Sequence, residues 1–155
     1  MFSRCQIKAA FLLNFVRYVE WPSSAFEAAG TPLVLCVLEQ NPFGNALERT
    51  VAGEIAGGRS LEVRLVPTVQ QANGCHLLFF PHAAPLRASS ATSETGTAPT
   101  LTVGESADFI QMGGIINLVT VAGRVRFEVN VGAAERRGLR ISSRLLRLAV
   151  TIHQS

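Results

Sequence analysis

The sequence predicts an α/β fold: a mostly parallel sheet built from βαβ units in the Rossmann-like manner, with a C-terminal antiparallel hairpin and flanking helices. Three features predict it. Short runs rich in valine, leucine and phenylalanine at residues 32–39, 59–67 and 75–81 alternate with helix-like or polar spacers, the order that wraps right-handed crossovers around a parallel sheet. An amphipathic stretch at 6–20 carries apolar residues at helical spacing. Two β-like runs, 115–121 and 124–130, flank Ala122-Gly123, the signature of a two-residue hairpin.

Each element has its own justification. In residues 6–20, Ile7, Ala10, Phe11, Asn14, Phe15 and Tyr18 share one helix face, and Trp21-Pro22 ends the run because a residue before proline is driven out of the helical region. The stripe of Phe11, Phe15 and Tyr18 reads as core packing. Residues 32–39, "PLVLCVLE", are too short for a typical helix and apolar throughout, as a strand buried on both faces should be. A turn and short helix follow in "NPFGNALERTVAG". In 59–67, Leu61, Val63 and Leu65 alternate with Glu62 and Arg64, the period of a half-exposed strand. "CHLLFFP" makes a third strand and "TLTVGE" a fourth. Residues 82–100 between them are small, polar and punctuated by proline and glycine, a long loop with a poorly specified helix at 85–90. Residues 106–111 form a turn or short helix. The end of the chain, 132–152, reads as helical and broken near Gly138, with Ser142 capping a second helix whose Leu145, Leu148 and Ile152 align.

Composition narrows the function classes. A chain of 155 residues fits one domain with a real core, and 48% apolar against 16% charged content excludes disorder. Unbroken apolar stretches fall far short of the roughly 20 residues a spanning helix needs. The N-terminus lacks the layout of a signal peptide, so the expectation is either a cytosolic protein or a mature form whose leader has been removed. The net charge is +3, yet Lys8 is the sole lysine and the arginines are not interleaved with stacking aromatics, so no nucleic-acid groove is expected. Cys5, Cys36 and Cys75 have no metal-binding spacing. They read either as core thiols or as one bridge plus one spare.

Catalytic motifs are sparse. Gly104 and Ser106 mimic the start of a nucleophile elbow, but Asp108 stands where the second glycine belongs. His76, His82 and His153 are candidate bases with plainer readings: a strand start, a loop and a fraying terminus. No dinucleotide or nucleoside-triphosphate motif accompanies Gly113-Gly114, so this pair reads as backbone geometry, a positive-φ turn or a close approach. No metal or other cofactor is expected. Arg137, Arg140, Arg144 and Arg147 would fall within about 80° of one another on a continuous helix. They read as a solvated face or as a guanidinium cluster for a carboxylate- or phosphate-bearing partner. Arg126 and Glu128 share one strand face, where a local ion pair is the simplest expectation.

Taken in order, "IKAAFLLNFVRYVEWP", "CVLEQNPFGNAL", "GRSLEVRLV", "CHLLFFP", "LTVGESADFIQMGGIINL", "RVRFEVN" and "AAERRGLRISSRLLRLA" resemble the YfiR family of small periplasmic regulators. The resemblance implies a non-catalytic, periplasmic repressor. Such a protein binds the periplasmic sensor domain of an inner-membrane diguanylate cyclase, holding cyclic-di-GMP synthesis low. An OmpA-like, peptidoglycan-binding outer-membrane lipoprotein relieves the repression. The resemblance further implies a disulfide between Cys36 and Cys75, which an oxidising compartment would permit. The second cysteine pair that some members carry in the C-terminal half has no counterpart here. The expectation is a homodimeric regulator that neither inserts into the membrane nor binds nucleic acid. Its alternative is a periplasmic sensor of a small anion or nucleotide-like ligand, held by the arginines at a cleft on the strand ends.

Overall fold

A computed structural model describes residues 3–38, 41–68, 71–81 and 99–154. The first helix, α1 (Arg4–Tyr18), starts at a capping box: the Ser3 hydroxyl accepts from the Gln6 amide while the Gln6 side chain accepts from the Ser3 amide, satisfying two orphan donors at once. It ends two residues earlier than the expected Glu20. Val19 and Glu20 form a short strand, β1 (Val19–Glu20), antiparallel to β9 (Arg140–Ile141), so this segment is extended before Trp21-Pro22 is reached.

The main sheet contains β2 (Leu33–Leu38), β3 (Ile55–Ala56), β4 (Arg59–Val66), β5 (Leu77–Phe80), β6 (Leu101–Gly104), β7 (Ile116–Val121), β8 (Arg124–Asn130) and β10 (Thr151–His153). Their spatial order is β10-β8-β7-β6-β5-β2-β4-β3. The block β4-β2-β5-β6-β7 is parallel throughout, the 2-1-3-4-5 order of doubly wound sheets, and β7–β8 is the expected antiparallel hairpin over Ala122-Gly123. The α/β class is therefore as read from the sequence.

Alternation along β2 divides the core, since successive side chains point to opposite faces. Leu33, Leu35 and Val37 join Leu12, Phe15 and Val16 of α1 and Leu47 and Val51 of α2 (Ala46–Val51) in the larger cluster. On the other face Val34, Cys36 and Leu38 meet Ala72, Cys75, Leu78, Phe80 and Phe109. The buried face of α1 is Ala9, Leu12, Leu13, Phe15 and Val16, rotated from the expected one: Ile7, Ala10 and Asn14 are exposed, and of the aromatic stripe only Phe15 is fully buried while Phe11 and Tyr18 pack at the margin of the core. Phe11 and Phe15 lie 5.8 and 5.1 Å from Phe127 of β8. Arg64 and Glu62 are exposed on β4, as its alternation implied, but the pattern fails at the end of the strand, where Leu65 is exposed and Val66 buried.

Gly113-Gly114 serves both expected purposes. Gly113 turns the chain at φ 100°, a conformation that costs L-residues dearly. Gly114 packs so closely that a Cβ there would lie 2.1 Å from the Phe109 ring. The helical reading of 132–152 needs correction. The segment divides into α3 (Val131–Arg136), β9, α4 (Ser143–Leu148) and β10. Gly138, at φ 74°, makes the break, and Ser142 caps α4 by accepting from the Arg144 amide. Ile152 leaves the helix because the β-branched run Val150-Thr151-Ile152 adds a parallel strand to β8. The helix expected at 85–90, and His82, lie outside the described residues.

Candidate functional site

β8 ends beside the start of β7, because Val129 pairs with Ile116. Thus α3, β9 and the start of α4, which follow, stand at the amino-terminal end of the parallel strands. Here the four sequence-selected arginines separate. Arg137 is buried, and desolvation, assisted by the neighbouring Arg136 charge, lowers its pKa from the ordinary arginine value. Arg140 on β9 is exposed and lies opposite Glu20 of β1. Arg144 and Arg147, exposed on α4, are three apart and so share a helix face. The continuous helix that would align all four does not exist, because Gly138 and β9 interrupt it. The surface that remains is Arg140, Arg144 and Arg147.

At the same end, residues 22–31 form a strap leading into β2, and Trp21-Pro22 is its hinge post. The Trp21 indole donates to the His76 carbonyl at 3.0 Å, and Pro22 packs against the α3–β9 turn, its Cγ 3.6 Å from where a Cβ of Gly138 would be. His76, at the start of the β5 segment, ties the strap to the sheet. Its Nδ1 accepts from the Val34 amide at 2.9 Å, and its Nε2 lies 2.9 Å from the Ala25 carbonyl. Phe26 stacks on the imidazole with centroids 4.4 Å apart and takes the Arg59 guanidinium 3.6 Å from its own centroid. Arg59 also donates to the carbonyls of Ala28, Ala29 and Thr31. Burial, and secondarily the charges of Arg59 and Arg64, lower the His76 pKa, while the Ala25 hydrogen bond opposes them. No local periodicity joins Phe26, Arg59 and His76, since they come from a loop, from β4 and from the bend before β5.

Cys36 and Cys75 form a disulfide with Cα atoms 5.8 Å apart. The connection from β4 to β5 must cross β2, which lies between them. It does so through residues 67–76, and among those described no α-helix covers the crossing. The disulfide fastens this crossover to the strand beneath it. Cys5 is free and partly buried, its thiol 3.0 Å from the Pro42 carbonyl.

The carboxyl ends of the strands carry a cleft of about 360 Å³ lined by Lys8, Glu105, Ser106, Asn117, Thr120 and Val125 among others. Lys8 and Glu105 pair across it at 2.7 Å. Ser106 is buried, its carbonyl accepts from Nδ2 of the Asn117 side chain, and neither His76 nor His153 is hydrogen-bonded to it. Glu128 pairs not with Arg126 but with His153 at 3.0 Å and Asn117 at 3.2 Å. Arg126 projects into solvent opposite Val119. His153, expected to fray, is thus held in β10 beside β8. Arg140 lies at the opposite end of the sheet from the strand-end cleft, while α4 starts beside Tyr18 and its end leads to Val150, bonded to Phe127 in the middle of β8.

The model of the YfiR/HmsC-like family matches residues 5–150. The chain belongs to the YfiR/HmsC-like family. Proteins of this family are periplasmic regulators rather than enzymes, linked to cyclic-di-GMP signalling. Among solved structures, the chain is similar to a conserved domain protein of Vibrio cholerae O1 biovar El Tor, with TM-score 0.65 and 13% identity over 97% of this chain and 60% of that one. It is also similar to the ABC domain in complex with L-Trp from Streptococcus pneumonia, with TM-score 0.54 and 13% identity over 77% of this chain and 55% of that one. The YfiR/HmsC-like chain thus spans little more than half the length of either, and at this identity the likeness concerns the fold. No described helix is long and apolar enough to cross a membrane.

Proposed function

We propose that this protein is a non-catalytic periplasmic regulator that binds and represses the periplasmic sensor domain of an inner-membrane diguanylate cyclase. In this reading an OmpA-like, peptidoglycan-binding lipoprotein of the outer membrane relieves the repression by sequestering the regulator, which acts as a homodimer. The family match over residues 5–150 carries the proposal. The Cys36–Cys75 disulfide supports it, because such a bond persists in an oxidising compartment. A partner shifts the cyclase only by its differential affinity for the inhibited and active states, so the regulator needs a recognition surface rather than a reaction centre. Arg140, Arg144 and Arg147 are the residues assigned to it. The alternative, a small-anion or nucleotide-like sensor, would bring the arginines to the strand-end cleft; none of the three lines that cleft, which favours the protein partner.

The test is binding of the purified, oxidised protein to the periplasmic domain of a cyclase encoded beside it, with the triple variant Arg140→Glu, Arg144→Glu, Arg147→Glu as comparison. Micromolar or tighter binding, weakened about tenfold or more by charge reversal, is expected. Absence of binding to both that domain and an OmpA-like lipoprotein overturns the role. Equal binding by wild type and triple variant overturns the arginine assignment.

A further inference from the structure

We propose that His76 is a proton-operated latch for the strap of residues 22–31, which acid releases from the sheet to reshape the cleft that the strap walls. The two ring nitrogens face backbone groups of opposite polarity. Nδ1 accepts from the Val34 amide on β2, and Nε2 meets the Ala25 carbonyl on the strap. Only the neutral tautomer with its hydrogen on Nε2 satisfies both. A second proton must go to Nδ1, where it confronts the Val34 N–H across 2.9 Å.

The groups packed around the ring do not offset that conflict. Phe26 and Trp21 cover it with apolar rings, and the side chain is only 4% exposed. The charges acting on it belong to Arg59 and Arg64, both cations on β4. Arg59 acts more strongly than Arg64, and its guanidinium lies over the Phe26 ring that stacks on His76. The Ala25 carbonyl alone favours the protonated form, and it belongs to the strap, whose far end Arg59 anchors through the carbonyls of Ala28, Ala29 and Thr31. The His76 backbone is fixed: its amide donates to Val34 and its carbonyl accepts from Leu101 and from the Trp21 indole.

Protonation therefore breaks the sheet-side half of the tie, and the imidazolium moves toward water with the strap. Ser23 and Phe26 of the strap form one wall of an open cleft of about 440 Å³ whose other walls include Leu33 and Arg59, so release reshapes that cleft. Release also loosens Pro22 from the Gly138 turn that precedes Arg140. The latch stands on this geometry whether or not the protein regulates a cyclase.

Trp21 is the only tryptophan and reports on the strap directly. Its fluorescence and the far-UV circular dichroism of the full chain are followed together from about pH 8 to about pH 4.5, the range a histidine spans. The expected result is a reversible red shift with a midpoint below 6.5, at constant circular dichroism. The shift is absent in His76→Gln and retained in His82→Gln and in His153→Gln. Constant emission, a shift that survives in His76→Gln, or simultaneous loss of circular dichroism overturns the latch. Should His76→Gln not fold, the His76 imidazole resonance of the wild type is followed by NMR, and a midpoint different from that of the fluorescence overturns it equally.

Discussion

Replacing Cys36 and Cys75 together by alanine removes the fastening of the β4–β5 crossover. The two residues are 39 apart in sequence, and closing a loop of that length in the unfolded chain contributes about 4 kcal/mol in the chain-entropy model. Both cysteines are buried in the smaller core cluster, so the small voids left by the sulfurs add to this loss. Urea denaturation of wild type and double variant is the assay. With a slope of about 2 kcal/mol per molar for a chain of this size, the midpoint should fall by about 2 M. Reducing the wild type should produce a similar fall, because the bond acts mainly on the unfolded state. A loss below about 1 kcal/mol in both experiments would refute the reasoning. It would mean that Ala72, Leu78, Phe80 and Phe109 hold the crossover by packing alone.

Three further outcomes are expected. Gly114→Ala drives a methyl into the Phe109 ring and should cost about 1–3 kcal/mol; Phe109→Leu in the same chain should recover at least about 1 kcal/mol of it, read as coupling in a double-mutant cycle. Asn130→Ala removes the buried N-cap of α3, whose side chain accepts from the Ala133 amide, and should lower stability by about 1–2 kcal/mol in urea titrations. Because the folded His76 pKa lies below its unfolded value of 6.5, the unfolded chain binds more protons between the two. This contribution to stability is full well above 6.5 and falls as pH drops toward the folded pKa, by at most about 1.4 kcal/mol per pH unit. His76→Gln should remove that component from denaturation curves measured across the range.

The sequence by itself determined the parallel block, the β7–β8 hairpin and α1. These depend on local periodicity: β2 is apolar on both faces, β4 alternates, and α1 repeats every three to four residues. The resemblance carried in its ordered motifs indicated the disulfide partners, which the spacing of three cysteines left open. Only the tertiary structure decided the fate of residues 132–152. Their helical pattern yielded to β1 and β8, whose open edges took Arg140–Ile141 and Thr151–His153, and backbone pairing with a distant strand leaves no mark in local spacing. The same reason separates Arg137 from the surface arginines and turns Glu128 from Arg126 to His153. The His76 tie was beyond local reading as well, since it joins Ala25, Val34 and Arg59 through two nitrogens and one aromatic ring. Periodicity states which face a side chain takes, and the fold decides what it meets there.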